Sequence, residues 1–443
     1  MPWFHREAPS ISRFEVESMC QRLLDEAGGR LNCEFGRVLL LPPDLTRAHS
    51  GAGWITETLY KLLPGSCDVH VIPTLGQHVP HTEAENRRMF GSIPNDRIHA
   101  HDWRDGVTRV GVISAEKVAQ ATGGKADWEI PLDLNSMLFN ERWDLIINIG
   151  HVVPHEVLGF ANHNKNYFIG LGGKQSICAS HIAAAVYGIE NNLGNLITPL
   201  RACFNWAEER FLGRLPDVYL QVVMQRDELG QLVHSGVYVG DDLETYLMAA
   251  RRSRSQNITA LERPVKKVIA MMQADEFRTT WVANKAVYRT RMAMADEGEL
   301  LVIAPGVERF GEQPEVDALI RKYGYCGTDR ALELYRKNPD LQDLAHGAAH
   351  LIHGSSEGRF TIRYAPGGLT KSEIEGVHYQ FADLREVLDR YSPERMQEGF
   401  NTLPDGEEVF FIRTPSAGLW ATRERLDSLA DSRLDPGFPS GHG

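Results

Sequence analysis

Asp144-Leu145-Ile146-Ile147-Asn148-Ile149-Gly150-His151-Val152-Val153-Pro154-His155-Glu156 (DLIINIGHVVPHE) opens as a short isoleucine-rich run and passes, at Gly150, into two histidines, a proline and a glutamate. A run this short, rich in β-branched side chains and bounded by turn residues, predicts a buried strand rather than a helix. The pattern recurs upstream. RVLLL (Arg37 to Leu41) runs into Pro42-Pro43-Asp44-Leu45-Thr46-Arg47, and DVHVIP (Asp68 to Pro73) runs into Thr74-Leu75-Gly76-Gln77-His78. RIHA (Arg97 to Ala100) is a fourth candidate strand. Apolar runs alternating with amphipathic stretches predict α/β domains with mainly parallel sheets. Ligands of open α/β sheets bind outside the carboxyl ends of strands, so the three polar clusters are expected to meet in one crevice.

Downstream, HIAAAVYGIENN after Ser180 and the stretch from Asn205 to Leu212 have helical patterns. Strands are expected at Val218 to Met224 and Val233 to Val239, then a helix over Leu243 to Arg252. Val268 to Met272, a helix near Thr280 to Met294 and Leu300 to Ala304 repeat strand, helix, strand. From Pro314 to Ser355 the pattern is helical, and strands return at Arg359 to Tyr364 and Glu408 to Arg413. The expected organisation is an N-terminal α/β domain over 1–200, a C-terminal α/β domain over 201–425 closing an active-site cleft, and a disordered tail over 426–443.

The chain has 443 residues, 42% hydrophobic and 24% charged, which is ordinary for a globular protein. Its 59 acidic against 47 basic residues, a net charge of −12, argue against a phosphate-backbone partner and hence against nucleic acid. No apolar run approaches the roughly 20 residues a bilayer requires, and the N-terminus has no hydrophobic signal core, so a cytoplasmic protein without a membrane partner is expected. The scattered cysteines, with no C-x-x-C pair, read as reduced thiols.

Six of the 17 histidines, His78, His81, His151, His155, His163 and His181, fall in about a quarter of the chain. Histidine suits proton exchange near neutrality and is a common metal ligand. Taken singly each reads first as a loop histidine, but His78, His151 and His155 sit at predicted strand ends. Lys165 follows a stretch poor in acids and precedes Tyr167-Phe168-Ile169. Held against apolar walls, a lysine loses proton affinity and can act as a nucleophile or covalent anchor, whereas on a surface it merely snorkels. Gly170, Gly172 and Gly173 offer backbone N–H groups ahead of a helix. Asp44, Thr46 and Arg47 place a carboxylate, a hydroxyl and a guanidinium on one loop, where Arg47 suits a bidentate grip on a substrate carboxylate and Asp44 or Thr46 can cap a helix. His346, His350 and His353 (HGAAHLIH) have the spacing of one helix face, as a metal site or, more ordinarily, as packing; without the glutamate of H-E-x-x-H there is no metalloprotease base.

Together these pieces resemble the lactate racemase family. The resemblance rests on the D-x-T-R loop (Asp44 to Arg47), on Gly76, His78 and Thr82 in a G-x-H-x-x-x-T element, and on a P-H-x-x-x-G-[FY] stretch. In that stretch a lysine follows the histidine by ten residues and a histidine follows the lysine by sixteen, giving His155, Lys165 and His181. It is clearest from about residue 35 to 185 and thinner from 265 to 305. It implies a nickel-pincer nucleotide (nickel pyridinium-3,5-bisthiocarboxylic acid mononucleotide) tethered to Lys165 through a thioamide. It also implies nickel bound by His181, with His78 and His155 as the catalytic acid/bases. Lys174 is a rival anchor, but only Lys165 fits both spacings. Asp44, Thr46, Arg47 and Tyr167 are implied to support the cofactor, and Arg47, Lys285 and Trp281 to hold the substrate. Cofactor-synthesis enzymes are implied as transient partners. The activity implied is racemisation or epimerisation of a 2-hydroxy acid.

The chain departs from the family pattern at two places. Where the family usually reads G-G-R-K, it reads Asn162-His163-Asn164-Lys165, and His163 has no implied role. Where lactate-active members often carry glutamine, it has Val282, which points to a larger or sugar acid rather than lactate. Two other readings stand beside this one: a zinc-type hydrolase, which needs three ligands and an open water site, and a cofactor-free organic-acid-binding protein.

Overall fold

The computed structural model describes residues 2–227 and 230–429. Within them the chain forms two compact units, one from 2–179 and 196–256, the other from 180–195 and 257–429.

The first unit is organised by a six-stranded sheet in the order Phe4–Ile11, Leu232–Gly240, Asp217–Arg226, Leu145–His151, Arg37–Leu41, Asp68–Val71. The last four run parallel, and the first two are added antiparallel. Along Leu145–His151 alternate side chains take opposite faces. Leu145, Ile147 and Ile149 join Val38 and Leu40 in a core closed by Val16, Cys20, Leu23 and Ala27. These last four lie on the helix Arg13–Leu31, whose start is fixed by a Ser12/Glu15 capping box. On the other face Asn148 accepts a hydrogen bond from Asn166 Nδ2 at 2.7 Å. Both faces are thus covered, which is why the strand reads as an almost continuous apolar run. Gly150 lies under the covering loop: a Cβ there would come within 2.4 Å of Asn162 Oδ1.

The second unit carries a sheet ordered Gln380–Phe381, Thr361–Pro366, Met294–Ala304, Val265–Met271, Glu408–Ile412, Gly399–Thr402, parallel except for the last pair. Ile269, Leu301, Ile303 and Phe411 fill its core with Val387 and Tyr391. The α/β class with mainly parallel sheets therefore holds in both units.

Several boundaries differ from expectation. The division at 200/201 is displaced because Asp217–Arg226 and Leu232–Gly240 hydrogen-bond into the first sheet, so the first unit runs on to residue 256. Arg97 to Ala100 is not a strand: Asn95–Arg97 is a turn of 3-10 helix, and Ile98 makes a single bridge to Val71. The helical stretch 314–355 breaks into four helices, at Gly324 to Gly327, at Asn338 and at Leu344. The strand Phe4–Ile11 went unseen because its sequence, FHREAPSI, is polar. It is an edge strand, with a register shift between Glu7 and Ile11 around Pro9. Helix Arg423–Leu429 overlaps the start of the expected tail; residues 430–443 lie outside the described residues. None of the six cysteines forms a disulfide, and Cys20, Cys178 and Cys203 are buried.

Candidate active site

At the carboxyl end of Arg37–Leu41, Pro42 and Pro43 carry the chain to Asp44, which precedes the 3-10 helix Leu45–Ser50. Its carboxylate is 6% exposed. Oδ1 accepts from Thr46 Oγ1 at 2.6 Å, and Oδ2 accepts from His78 Nδ1. Burial alone would raise the Asp44 pKa, but His78, Thr46 and Arg47 outweigh it and hold the carboxyl far below its usual range. His78 is presented by the turn after Asp68–Val71, where Gly76 at φ +58° donates to the Gly170 carbonyl at 2.8 Å. With Nδ1–H committed to Asp44, the His78 Nε2 lone pair faces away from the carboxylate. His81 is a brace: Nε2 accepts the Leu45 N–H at 2.9 Å and Nδ1 donates to Asn86 Oδ1 at 3.2 Å.

After Leu145–His151 the chain makes a small antiparallel pair, Pro154–His155 with Gly159–Phe160. His155 is 8% exposed. Its Nδ1 accepts the Val157 N–H at 3.2 Å, which leaves the ring proton on Nε2, 3.8 Å from Glu156 Oε1. Asn162 and His163 then take positive φ, +68° and +58°, conformations that ordinary side chains adopt at a cost. The turn is pinned by Arg201, 0% exposed, which donates to the Phe160 carbonyl at 2.6 Å, the Asn162 carbonyl at 3.2 Å and Asn164 Oδ1. Lys165 follows, leading into a π-helical turn, Asn166–Gly170, a geometry frequent at functional sites.

Burial first, and then Arg47, push the Lys165 amine down to about 8, while Glu156 and Asp44 pull the other way. Arg47 itself is lowered by burial against the pull of Asp44 and Glu156. Asp44, Arg47, Glu156 and Lys165 thus share one electrostatic neighbourhood, with His78 bonded to its carboxylate and His155 beside Glu156. The expected convergence of strand-end clusters holds in the first unit. His151 is buried in edge contact with His49. Tyr167 is fully buried and donates its hydroxyl to Asp217 at 2.9 Å, so it supports the turn from beneath.

The other expected residues belong to the second unit. His181 is on the helix Lys174–Tyr187, in the segment 180–195. Trp281 and Lys285 lie four residues apart and are partly exposed, and Trp281 stacks on His350 with ring centroids 4.2 Å apart. His346, His350 and His353 are buried. His350 is held between the Tyr288 and Tyr325 hydroxyls at 2.7 and 3.1 Å, so this face is packing. Among the described residues no group of three or more His, Cys, Asp or Glu is arranged to hold a metal ion. Sequence reasoning missed Glu156 and Arg201. Glu156 stood beside His155 in the motif, and Arg201 was legible as a lone arginine inside the apolar helix Pro199–Ala207.

Residues 30–192 match the family model described as the lactate racemase N-terminal domain. A Thermotoga maritima crystal structure from a structural genomics consortium is similar with a TM-score of 0.78 at 22% identity, over 94% of this chain and 100% of that one. The lactate racemase apoprotein from Thermoanaerobacterium thermosaccharolyticum is similar with a TM-score of 0.66 at 16% identity, over 94% of each chain. No curated protein sequence matches the chain. No described helix is long and apolar enough to cross a membrane.

Proposed function

We propose that the chain, whose residues 30–192 match the lactate racemase N-terminal domain model, racemises or epimerises a 2-hydroxy acid with a nickel-pincer nucleotide tethered to Lys165. The observation that carries this reading is the Lys165 amine, lowered to about 8 beside Arg47, Glu156 and the Asp44–His78 pair. A lysine at about 8 is neutral in roughly one molecule in ten at pH 7, against about one in a few thousand for an ordinary lysine, so it is fitted to a covalent attachment. The donor set fits the group as well. Lys165 would tether it, and His181 would supply an imidazole to its metal.

When bound, the group supplies a hydride acceptor, which solves the difficulty that the Cα–H of a 2-hydroxy acid is too weakly acidic to leave as a proton. The chain's own residues handle the substrate's charge and its hydroxyl proton. Arg47 pairs with the carboxylate. His78 accepts the hydroxyl proton at Nε2, and Asp44 stabilises the imidazolium through Nδ1–H. His155 would be the second acid/base: its Nε2 exchanges the hydroxyl proton of the opposite enantiomer, cycling between imidazole and imidazolium, so that each enantiomer has a base near its own hydroxyl. Val282, where lactate-active members often carry glutamine, favours a larger or sugar acid over lactate. The test is a panel of single-enantiomer 2-hydroxy and sugar acids in D2O with cofactor-loaded protein. The opposite configuration should appear without deuterium at Cα, and wash-in of solvent deuterium would overturn the hydride route.

Asp44→Asn is expected to lower turnover by about 10²- to 10⁴-fold, because the imidazolium loses its counter-charge. Since the Asp44 pKa is depressed on folding, its stabilisation is present above the ordinary carboxylate range and is lost as pH falls through and below about 4. Acid melts of the variant should therefore lose less stability below pH 4 than those of the parent. Equal acid sensitivity and unchanged turnover would remove Asp44 from its role.

A further inference from the structure

His181 stands at the start of a segment, 180–195, that belongs to the second unit although the chain on either side of it belongs to the first. Apart from the imidazole, the segment has one formally charged side chain, Glu190. Three arginines of the second unit converge on that carboxylate. Arg291, 2% exposed at the end of helix Lys285–Thr290, donates through Nε to Glu190 Oε1 at 3.0 Å. Arg359, just before strand Thr361–Pro366, donates through Nη1 to the same oxygen at 2.7 Å. Arg425, on helix Arg423–Leu429, has Nη1 3.5 Å from Oε2. Each arginine is also held at a second point. Arg291 donates to the His353 and Ser355 carbonyls, Arg359 to Asp296 and the Met294 carbonyl, and Arg425 to the Arg291 carbonyl. Burial lowers the Arg425 pKa, Glu190 pulls it up, and Arg359 and Arg291 push it down. Glu190 is thus the carboxylate that lets three like charges from separate elements meet.

Glu190 lies on the short helix Ile189–Asn192, which is joined to the helix Lys174–Tyr187 by Gly188 at φ +112°. Asn192, 1% exposed, donates through Nδ2 to the Ala184 carbonyl at 3.0 Å, about one turn along from His181. Ala183, Ala184 and Ala185 are fully buried, but methyl packing is non-directional and does little to fix a helix along its own axis. We propose that Glu190 is a positioning residue for His181: the arginine clamp holds Ile189–Asn192, Asn192 holds the Ala184 turn, and the imidazole one turn earlier is held with them. An isolated exposed ion pair would add little to such a task. Here one partner is buried, and loss of the carboxylate leaves guanidiniums facing one another. The inference rests on the reading of His181 as the nickel ligand.

The test is an EDTA challenge of the cofactor-loaded full-length protein, with hydrogen exchange on the unloaded protein. Glu190→Gln, which keeps the shape and removes the charge, should retain the Lys165 adduct by mass and release nickel about tenfold faster than the parent, the scale on which outer partners of a metal ligand act. Glu190→Asp, which keeps the charge, should recover part of the retention. Arg425→Gln removes one arm of the clamp and should accelerate release by a smaller factor, and it serves in place of Glu190→Gln if that variant fails to fold. In the unloaded protein, amides of 181–187 should exchange faster in Glu190→Gln while those of 160–168 keep the parent rate. A parent that carries no nickel would contradict the cofactor reading, and the exchange data would still decide whether Glu190 holds the His181 turn. Nickel release at the parent rate in both charge-removing variants, or exchange over 181–187 at the parent rate, would overturn the proposal.

Discussion

Lys165→Ala is expected to give a folded protein that carries no covalent adduct and loses roughly 10⁴-fold or more of its turnover, the scale on which loss of a reacting group is felt. The variant removes a partly buried amine held near Arg47, a like-charge contact that burial makes worse. Its melting temperature should therefore equal or exceed that of the parent, which separates the loss of tether from a loss of fold. Lys165→Arg keeps the charge but not the nucleophile and should be equally inactive. The lowered pKa gives a second readout in the unloaded protein. Acylation of Lys165, followed by peptide mass spectrometry, should rise with pH to half its maximum near 8, whereas surface lysines go on rising toward 10. Full turnover in Lys165→Ala, or a titration of Lys165 like that of a surface lysine, would end the tether assignment.

Arg201→Ala carries the largest expected effect on stability. The side chain is fully buried, its fork satisfies two backbone carbonyls and the Asn164 side chain, and its guanidinium lies 4.4 Å from the Tyr246 ring centroid. Truncation leaves buried acceptors without donors and opens a cavity, at a cost of about 3–5 kcal/mol. In a unit of this size that corresponds to a fall in melting temperature of roughly 6–20 °C. Arg201→Lys should recover little, because an ammonium cannot reproduce the planar fork. Hydrogen exchange over 160–168 should accelerate in both variants, since the turn that presents Lys165 loses its clamp. A melt within about 1 °C of the parent would show that the turn holds itself.

How much of this was legible differs by residue. The strands Arg37–Leu41 and Leu145–His151 are buried on both faces, so composition alone marks them. Their polar exits, Asp44 to Arg47 and Gly150 to Glu156, follow from the rule that ligands gather at carboxyl ends, and the fold does bring Asp44, His78, Arg47, Glu156 and Lys165 together. The pairing of His78 with Asp44, 34 residues apart, depends on which strands are neighbours, and local pattern does not encode that. The same holds for Arg201, whose partners lie 37 to 41 residues upstream. The extent of the first unit was misjudged because Asp217–Arg226 and Leu232–Gly240 look like the opening of a new domain in one dimension and are the far edge of the first sheet in three. His346, His350 and His353 show the converse case, a metal-like spacing that tyrosine hydroxyls and an indole ring absorb into packing.

The central claim is the tethered nickel cofactor, and intact mass with nickel content tests it most directly on protein produced alongside the cofactor-synthesis enzymes. The account predicts one covalent adduct that maps to Lys165, with about one nickel per chain. Unmodified protein without nickel, while a lactate racemase produced in the same way is loaded, would contradict it.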